Sequence, residues 1–327
     1  MASKPSVFEI CAGAGGQALG LEAAGFEHVA TVDNDADACR TLRVNRPNWH
    51  VLEADIRDLD GRAYYGVDLL AGGVPCPPFS IAGKQLGEAD ERDLFPEAVR
   101  LTREMQPKAV LLENVRGFAT PRFSAYRGRL LEVLEGLGYV TFWRVLNAAD
   151  FGVPQYRPRL VMVALREESA LAFRWPLPEA RRLTVSECIS DLMGSNGWTG
   201  LSSWRERANQ VAPTIVGGSK KHGGPDLGPT RARSEWRRLG VDGKGIAEDA
   251  PQAEFPAEGL PRLTVRMVAR IQGFPDAWQF AGRKTSSYKQ VGNAFPPPVA
   301  RAIGQAIRRA IGARASEAPR QLPLLVG

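Results

Sequence analysis

The run GGVPCPPFS over residues 72–80 sets one thiol, Cys76, among Pro75, Pro77 and Pro78. Prolines lock φ, so the backbone of such a loop is stiff and fixes where the thiol points. Cysteine is the best side-chain nucleophile near neutral pH when its thiolate is stabilised. Taken alone, the segment also fits a buried structural cysteine in a proline-rich turn. A second segment, FEICAGAGG, puts Gly13, Gly15 and Gly16 between an apolar run and a helical one. Glycines let the main chain approach a ligand closely, and a helix start offers unpaired N–H groups. Asp33 follows at the spacing where an acid can take a ribose hydroxyl pair. Asp55 closes the next apolar run, in place to meet an adenine edge. The glycine spacing is GxGG rather than GxGxxG, which argues against a nicotinamide dinucleotide.

These side chains need elements to carry them. Apolar runs at 6–11, 29–33, 49–56, 67–75, 108–115, 139–147 and 160–165 read as strands, with helical stretches between most of them, including 94–105 and 124–137. Buried strands alternating with helices predict an α/β fold with a doubly wound, mostly parallel sheet. Asp33, Asp55 and Cys76 then fall at carboxyl ends of strands, where open α/β sheets hold ligands. Beyond about residue 180 the alternation stops. Residues 194–261 are rich in Gly, Pro, Trp, Lys and Arg and predict a smaller, loop-rich domain. A helix is expected within 262–274, and a last one begins at the proline run of PPVARAIGQAIRRAI. The expected division is 1–184, 185–261, and 262–327 returning to the first unit.

The chain has 327 residues, 44% hydrophobic and 24% charged, which excludes a disordered composition. No apolar run approaches the length of a membrane span, and the N-terminus reads as a strand rather than a signal peptide, so a cytoplasmic location is expected. Cys11, Cys39, Cys76 and Cys188 form no CxxC pair and lie at no metal-ligand spacing with histidine. No metal is expected. A net charge of +6 suits a polyanionic partner without specifying one.

PCPPFS, ENV at 113–115, QYRPR at 155–159 and GNAFPPPVA at 292–300, in that order, resemble the motifs of the DNA cytosine-5 methyltransferase family. FEICAGAGG resembles its opening motif and RLTVRMVARIQGFPD its late helical one. The matches span most of the chain outside roughly 185–261. The resemblance implies a Rossmann-like core that binds S-adenosyl-L-methionine and methylates carbon 5 of cytosine. Cys76 would add to carbon 6, Glu113 would hold the ring near nitrogen 3, and Arg159 would bind the carbonyl region and support Glu113. Arg157 would reach a backbone phosphate or the catalytic loop, and Asn114 would orient that loop. Cys11, Gly13, Ala14, Gly15, Gly16, Asp33, Asn34, Asp55, Ile56, Gly73, Pro75, Leu94, Asn293 and Ala294 would form the cofactor site. The family often has Phe where Cys11 stands and an aromatic where Asn34 stands, so contacts to the adenine should differ here.

A duplex hides the reacting ring, so the base must be extruded. Residues 80–93 resemble the family's mobile loop, which would close over it with Ser80, Lys84 and Arg92 near phosphates. In the variable segment, Lys220, Lys221, His222, Arg231, Arg233, Arg237 and Arg238 gather among glycines and are expected to meet double-stranded DNA. A monomer acting on a short site, beside a cognate restriction endonuclease or in epigenetic marking, is the expected setting. A tRNA cytosine methyltransferase would share the chemistry. A zinc deaminase is disfavoured because no HxE occurs and Phe79 stands where PCxxC needs its second cysteine. A dinucleotide oxidoreductase fits only the first third of the chain. A catalytically silent binding module would not need Cys76, Glu113 and both arginines together.

Overall fold

The computed structural model describes residues 3–75, 93–217 and 225–313. Its strands are β1 (Ser6–Ile10), β2 (Glu27–Asp33), β3 (Val51–Glu53), β4 (Leu69–Gly73), β5 (Ala109–Val115), β6 (Tyr139–Asn147) and β7 (Pro158–Arg166). They form one sheet in the order β3-β2-β1-β4-β5-β7-β6. β1 to β5 run parallel, whereas β7 is antiparallel to both β5 and β6. The sheet is therefore doubly wound and mostly parallel.

Strand residues alternate between two apolar layers, as the two-residue period requires. Val7, Leu69, Leu111 and Val163 face one core, and Phe8, Leu70, Leu112 and Met162 face the other. Burial on both faces explains why these strands read as unbroken apolar runs. The helices of the first half are α1 (Gly16–Ala23), α2 (Ala36–Asn45), α3 (Phe95–Met105), α4 (Ser124–Gly136) and the short α5 (Glu167–Ala170). Asp35 caps α2 by accepting from the N–H groups of Asp37 and Ala38.

Beyond the sheet lie α6 (Val185–Met193), α7 (Leu201–Arg207), α8 (Thr230–Arg238), α9 (Val265–Ile271), α10 (Lys284–Asn293) and α11 (Pro297–Gly312). Thr184 and Glu187 form a capping box that starts α6. Trp198, Trp204 and Trp236 are buried in a third core that also takes Leu42 and Cys39 of α2, Met267 of α9 and Tyr288 of α10. This third core sets the variable segment beside the carboxyl edge of the sheet. The last helix returns to the first. A Cβ on Gly20 of α1 would lie 2.4 Å from the Pro297 carbonyl oxygen and 2.5 Å from Ala300 Cβ, so the helices touch backbone to backbone. Among the described residues no helix is long and apolar enough to cross a membrane.

Candidate active site

The parallel register of β4 and β5 puts Gly73 opposite Glu113. β5 is buried until its last residue, so Glu113 ends an apolar run with its carboxylate almost enclosed. Arg159 of β7 lies diagonally across the antiparallel pair and brings Nε to 2.9 Å from Glu113 Oε1. Burial pushes the Glu113 carboxyl above its ordinary range, and the guanidinium groups of Arg159 and Arg157 pull it part of the way back. Asn114 donates from Nδ2 to the Val74 carbonyl at 2.8 Å and accepts the Val115 N–H at 2.7 Å. It therefore ties β5 to the residue just before Pro75. The Pro75 carbonyl in turn accepts the Leu94 N–H at 3.5 Å.

Arg157, expected at a phosphate or the catalytic loop, is held among main-chain carbonyls of the described residues. Its side chain is fully buried, donating from Nη1 to the Ile215 carbonyl at 2.7 Å and from Nη2 to the Gly292 and Ala294 carbonyls at 2.8 and 3.0 Å. The reason lies in tertiary packing. Gly292 and Gly217 cross so closely that a Cβ on Gly292 would stand 2.5 Å from the Gly217 Cα, and Arg157 fills the space below the crossing. Buried Gln155 and Gln272 extend the junction, with Gln155 Nε2 donating to Gln272 Oε1 at 2.7 Å and Gln272 Nε2 to the Ala294 carbonyl at 2.6 Å.

A cavity of about 390 Å³ opens at the carboxyl end of the sheet, a size usual for small-ligand sites. From the expected cofactor set it is lined by Cys11, Gly13, Ala14, Asp33, Asn34, Asp55, Ile56, Gly73, Pro75, Leu94, Asn293 and Ala294, and Glu113 opens onto the same space. Gly13 has φ +52° and no atom within 4 Å of where a Cβ would sit, so the space beside it is open to a ligand. Its N–H donates to Asp33 Oδ2 at 2.7 Å, while Asp33 Oδ1 accepts the Asp35 N–H at 2.9 Å. Cys11, at φ +50°, holds an uncommon backbone conformation at the turn into this wall. The Asp55 carboxylate is engaged by Arg57, at 2.9 Å from Nε and 2.8 Å from Nη2.

Gly15 and Gly16, also expected at the cofactor, do not line this cavity. A Cβ on Gly15 would stand 2.7 Å from Leu42 Cδ2 and 3.0 Å from Trp278 Cζ2, and one on Gly16 would stand 2.4 Å from the Phe295 carbonyl oxygen. These glycines serve packing, which sequence spacing cannot separate from ligand approach. Sequence reasoning missed Gln17, Asp35, Ser286, Lys289, Gln290 and Phe295, which also line the cavity. Gln17 sits directly after the glycine run, a position that could have flagged it. Ser286 to Gln290 carry no such signal because only the packing of α10 brings them there. Behind the glycine turn, Glu9 Oε2 lies 3.2 Å from His28 Nε2, both side chains fully enclosed.

The open volume, the paired carboxylates at the β2 and β3 ends and the bare Gly13 wall fit the nucleoside of S-adenosylmethionine. Of the expected DNA contacts, Arg231, Arg233, Arg237 and Arg238 lie on α8, with Trp236 buried as its anchor. Arg237 and Arg238 are exposed, Arg231 pairs with Glu235 at 3.3 Å, and Arg233 reaches within 4.0 Å of Asp226. Cys76, Ser80, Lys84, Arg92, Lys220, Lys221 and His222 lie outside the described residues.

The chain matches the model of the C-5 cytosine-specific DNA methylases over residues 6–309. It is 57% identical over 309 residues to the type II methyltransferase M.NaeI of Lentzea aerocolonigenes, covering 93% of this chain and 75% of that one. It is 54% identical over 306 residues to the type II methyltransferase M.NgoMIV of Neisseria gonorrhoeae, covering 93% and 97%. Its fold resembles a DNMT2 variant of Spodoptera frugiperda with a TM-score of 0.64 at 19% identity, covering 93% and 99%. A family match running from β1 into the last helix, together with relatives more than half identical over nearly the whole chain, makes this protein a member of the C-5 cytosine-specific DNA methylase family, a DNA cytosine-5 methyltransferase.

Proposed function

We propose that the protein extrudes a cytosine from a short duplex DNA site and methylates its carbon 5 through a covalent adduct with Cys76. The observation that carries this reading is Glu113, which opens onto the same cavity as Pro75, the residue before Cys76, and is held there by Arg159. The other thiols suit the role poorly. Burial pushes Cys39 up to about 11 and Cys188 up to about 12, and it also raises Cys11, aided by nearby Asp33 and Asp55. Thiols held protonated near neutral pH are weak nucleophiles.

In this mechanism the Cys76 thiolate forms a bond to carbon 6. The ring electrons move toward nitrogen 3, which takes the proton that Glu113 holds, and carbon 5 becomes enamine-like. A carboxyl raised by burial is suited to keep that proton until it is needed. Arg159 holds the carboxylate left behind and offers its remaining donors to the ring carbonyl. When bound, S-adenosylmethionine supplies an electrophilic methyl group to carbon 5. Transfer of the carbon 5 proton to a base such as water then reforms the carbon 5–carbon 6 double bond and expels the Cys76 thiolate, and nitrogen 3 returns its proton to Glu113. Asp33, set by two backbone donors, would take the ribose hydroxyls, and Asn34, Asp55 and Ile56 would flank the adenine. Asn114 would steady the Cys76 loop through Val74.

The basic face of α8, with Lys220 and Lys221, would position duplex phosphates, while Ser80, Lys84 and Arg92 would close on the extruded nucleotide. The protein would act as a monomer in the cytoplasm, beside a cognate restriction endonuclease. The type II relatives favour the restriction–modification part of that reading. Bisulfite sequencing of mixed-sequence duplex DNA, treated with the protein and S-adenosylmethionine, tests the reading. Protected cytosines within one short motif, lost in Cys76→Ser while cofactor binding persists, are expected. Full activity in Cys76→Ser would remove that residue from the mechanism. Absence of protected cytosines would point to RNA as substrate.

A further inference from the structure

Gln17 is the second residue of α1 and lines the cofactor cavity, yet its side chain is only 3% exposed. Among the described residues neither its amide nitrogen nor its amide oxygen has a hydrogen-bond partner. A buried amide without partners costs free energy, and native structures rarely leave one so without a ligand or water to meet it.

Position decides which part of a ligand it meets. The acids at the β2 and β3 ends lie on one side of β1, and the β4–β5 edge with Gly73 and Glu113 lies on the other. The residue before Gln17 abuts the Phe295 main chain, which places Gln17 by the wall formed by Asn293 to Phe295, away from Asp55. A neutral amide carries two N–H donors and one acceptor. That set matches a group bearing both a carboxylate and an ammonium, whereas an acidic or basic side chain would match only one of them.

We propose that Gln17 binds the zwitterionic amino-acid end of the cofactor, donating to its carboxylate and accepting from its ammonium. This rests on the cofactor site described above. Isothermal titration of the whole protein with S-adenosylhomocysteine and with methylthioadenosine, which lacks the amino-acid end, separates the two claims. Binding of S-adenosylhomocysteine by the unaltered protein tests the cofactor site itself. Gln17→Leu should weaken S-adenosylhomocysteine about tenfold or more, equivalent to about 1.4 kcal/mol, and leave methylthioadenosine within twofold. Gln17→Glu, similar in size but repelling a carboxylate, should weaken the same ligand alone. Gln17→Leu should also melt no lower than the unaltered protein without ligand, because no internal hydrogen bond is broken. Equal losses for both ligands, no loss for either, or a melting point several degrees lower would overturn the assignment.

Discussion

Replacing Arg157 by methionine removes a guanidinium while nearly keeping its length. The structure puts three main-chain carbonyls on that group, those of Ile215, Gly292 and Ala294. A buried acceptor stranded by loss of its donor costs about 1–3 kcal/mol, but removing a buried charge recovers part of its desolvation cost. A net loss of about 2–5 kcal/mol follows, toward the upper end of single-substitution effects. Unfolding entropy near 2.1 cal/mol/K per residue, taken over a chain of this length, converts that to a fall in Tm of about 3–7 °C. Scanning calorimetry reads this directly. S-adenosylhomocysteine titration should show weakened binding as well, because Asn293 and Ala294 line the cofactor cavity. A phosphate contact would behave differently: Tm would hold, while DNA affinity and its salt dependence would fall. A Tm within about 1 °C of the unaltered protein, with cofactor affinity intact, would refute the junction role.

Three further perturbations discriminate among the roles argued above. Glu113→Gln should lower kcat by about 10²–10⁴, since an amide cannot surrender the proton. Because burial raises the folded-state pKa of Glu113, the unaltered protein should lose stability as pH rises through that value; melts at several pH values should show this slope absent in the variant, and parallel curves would count against a raised carboxyl. Gly13→Ala should melt only slightly lower while losing cofactor affinity, whereas Gly15→Ala, which meets Leu42 and Trp278, should lose about 1–3 kcal/mol; equal behaviour in melts and titrations would contradict the division between ligand wall and packing. Arg237→Ala and Arg238→Ala should each reduce the salt slope of DNA binding by about 1 if they meet phosphates, and unchanged slopes in a fluorescence titration would remove α8 from the interface.

Much of this was legible in the chain itself. The apolar runs of β1, β4, β5 and β7 specify the middle of the sheet because strands buried on both faces must be apolar throughout. Glu113 was legible because an acid ending such a run stands at the sheet's carboxyl edge, and Asp33 and Asp55 follow the same logic. Local chemistry also marks the start of α11 through its prolines.

Tertiary packing decided the rest. Gly13, Gly15 and Gly16 look alike in sequence, yet only Gly13 faces the cavity, because Leu42, Trp278 and Phe295 crowd the other two from distant parts of the chain. Arg157 and Arg159 share one short motif, but Arg157 lies before the first residue of β7, where the chain packs against Ile215 and Gly292, whereas Arg159 lies within the strand beside β5. One therefore pairs with Glu113, and the other is buried under the Gly217–Gly292 crossing. Residue types and spacing determined which chemistry the protein could perform. Which of several equivalent side chains meets the ligand depended on contacts between segments remote in sequence, and those form only when the third core docks against the sheet.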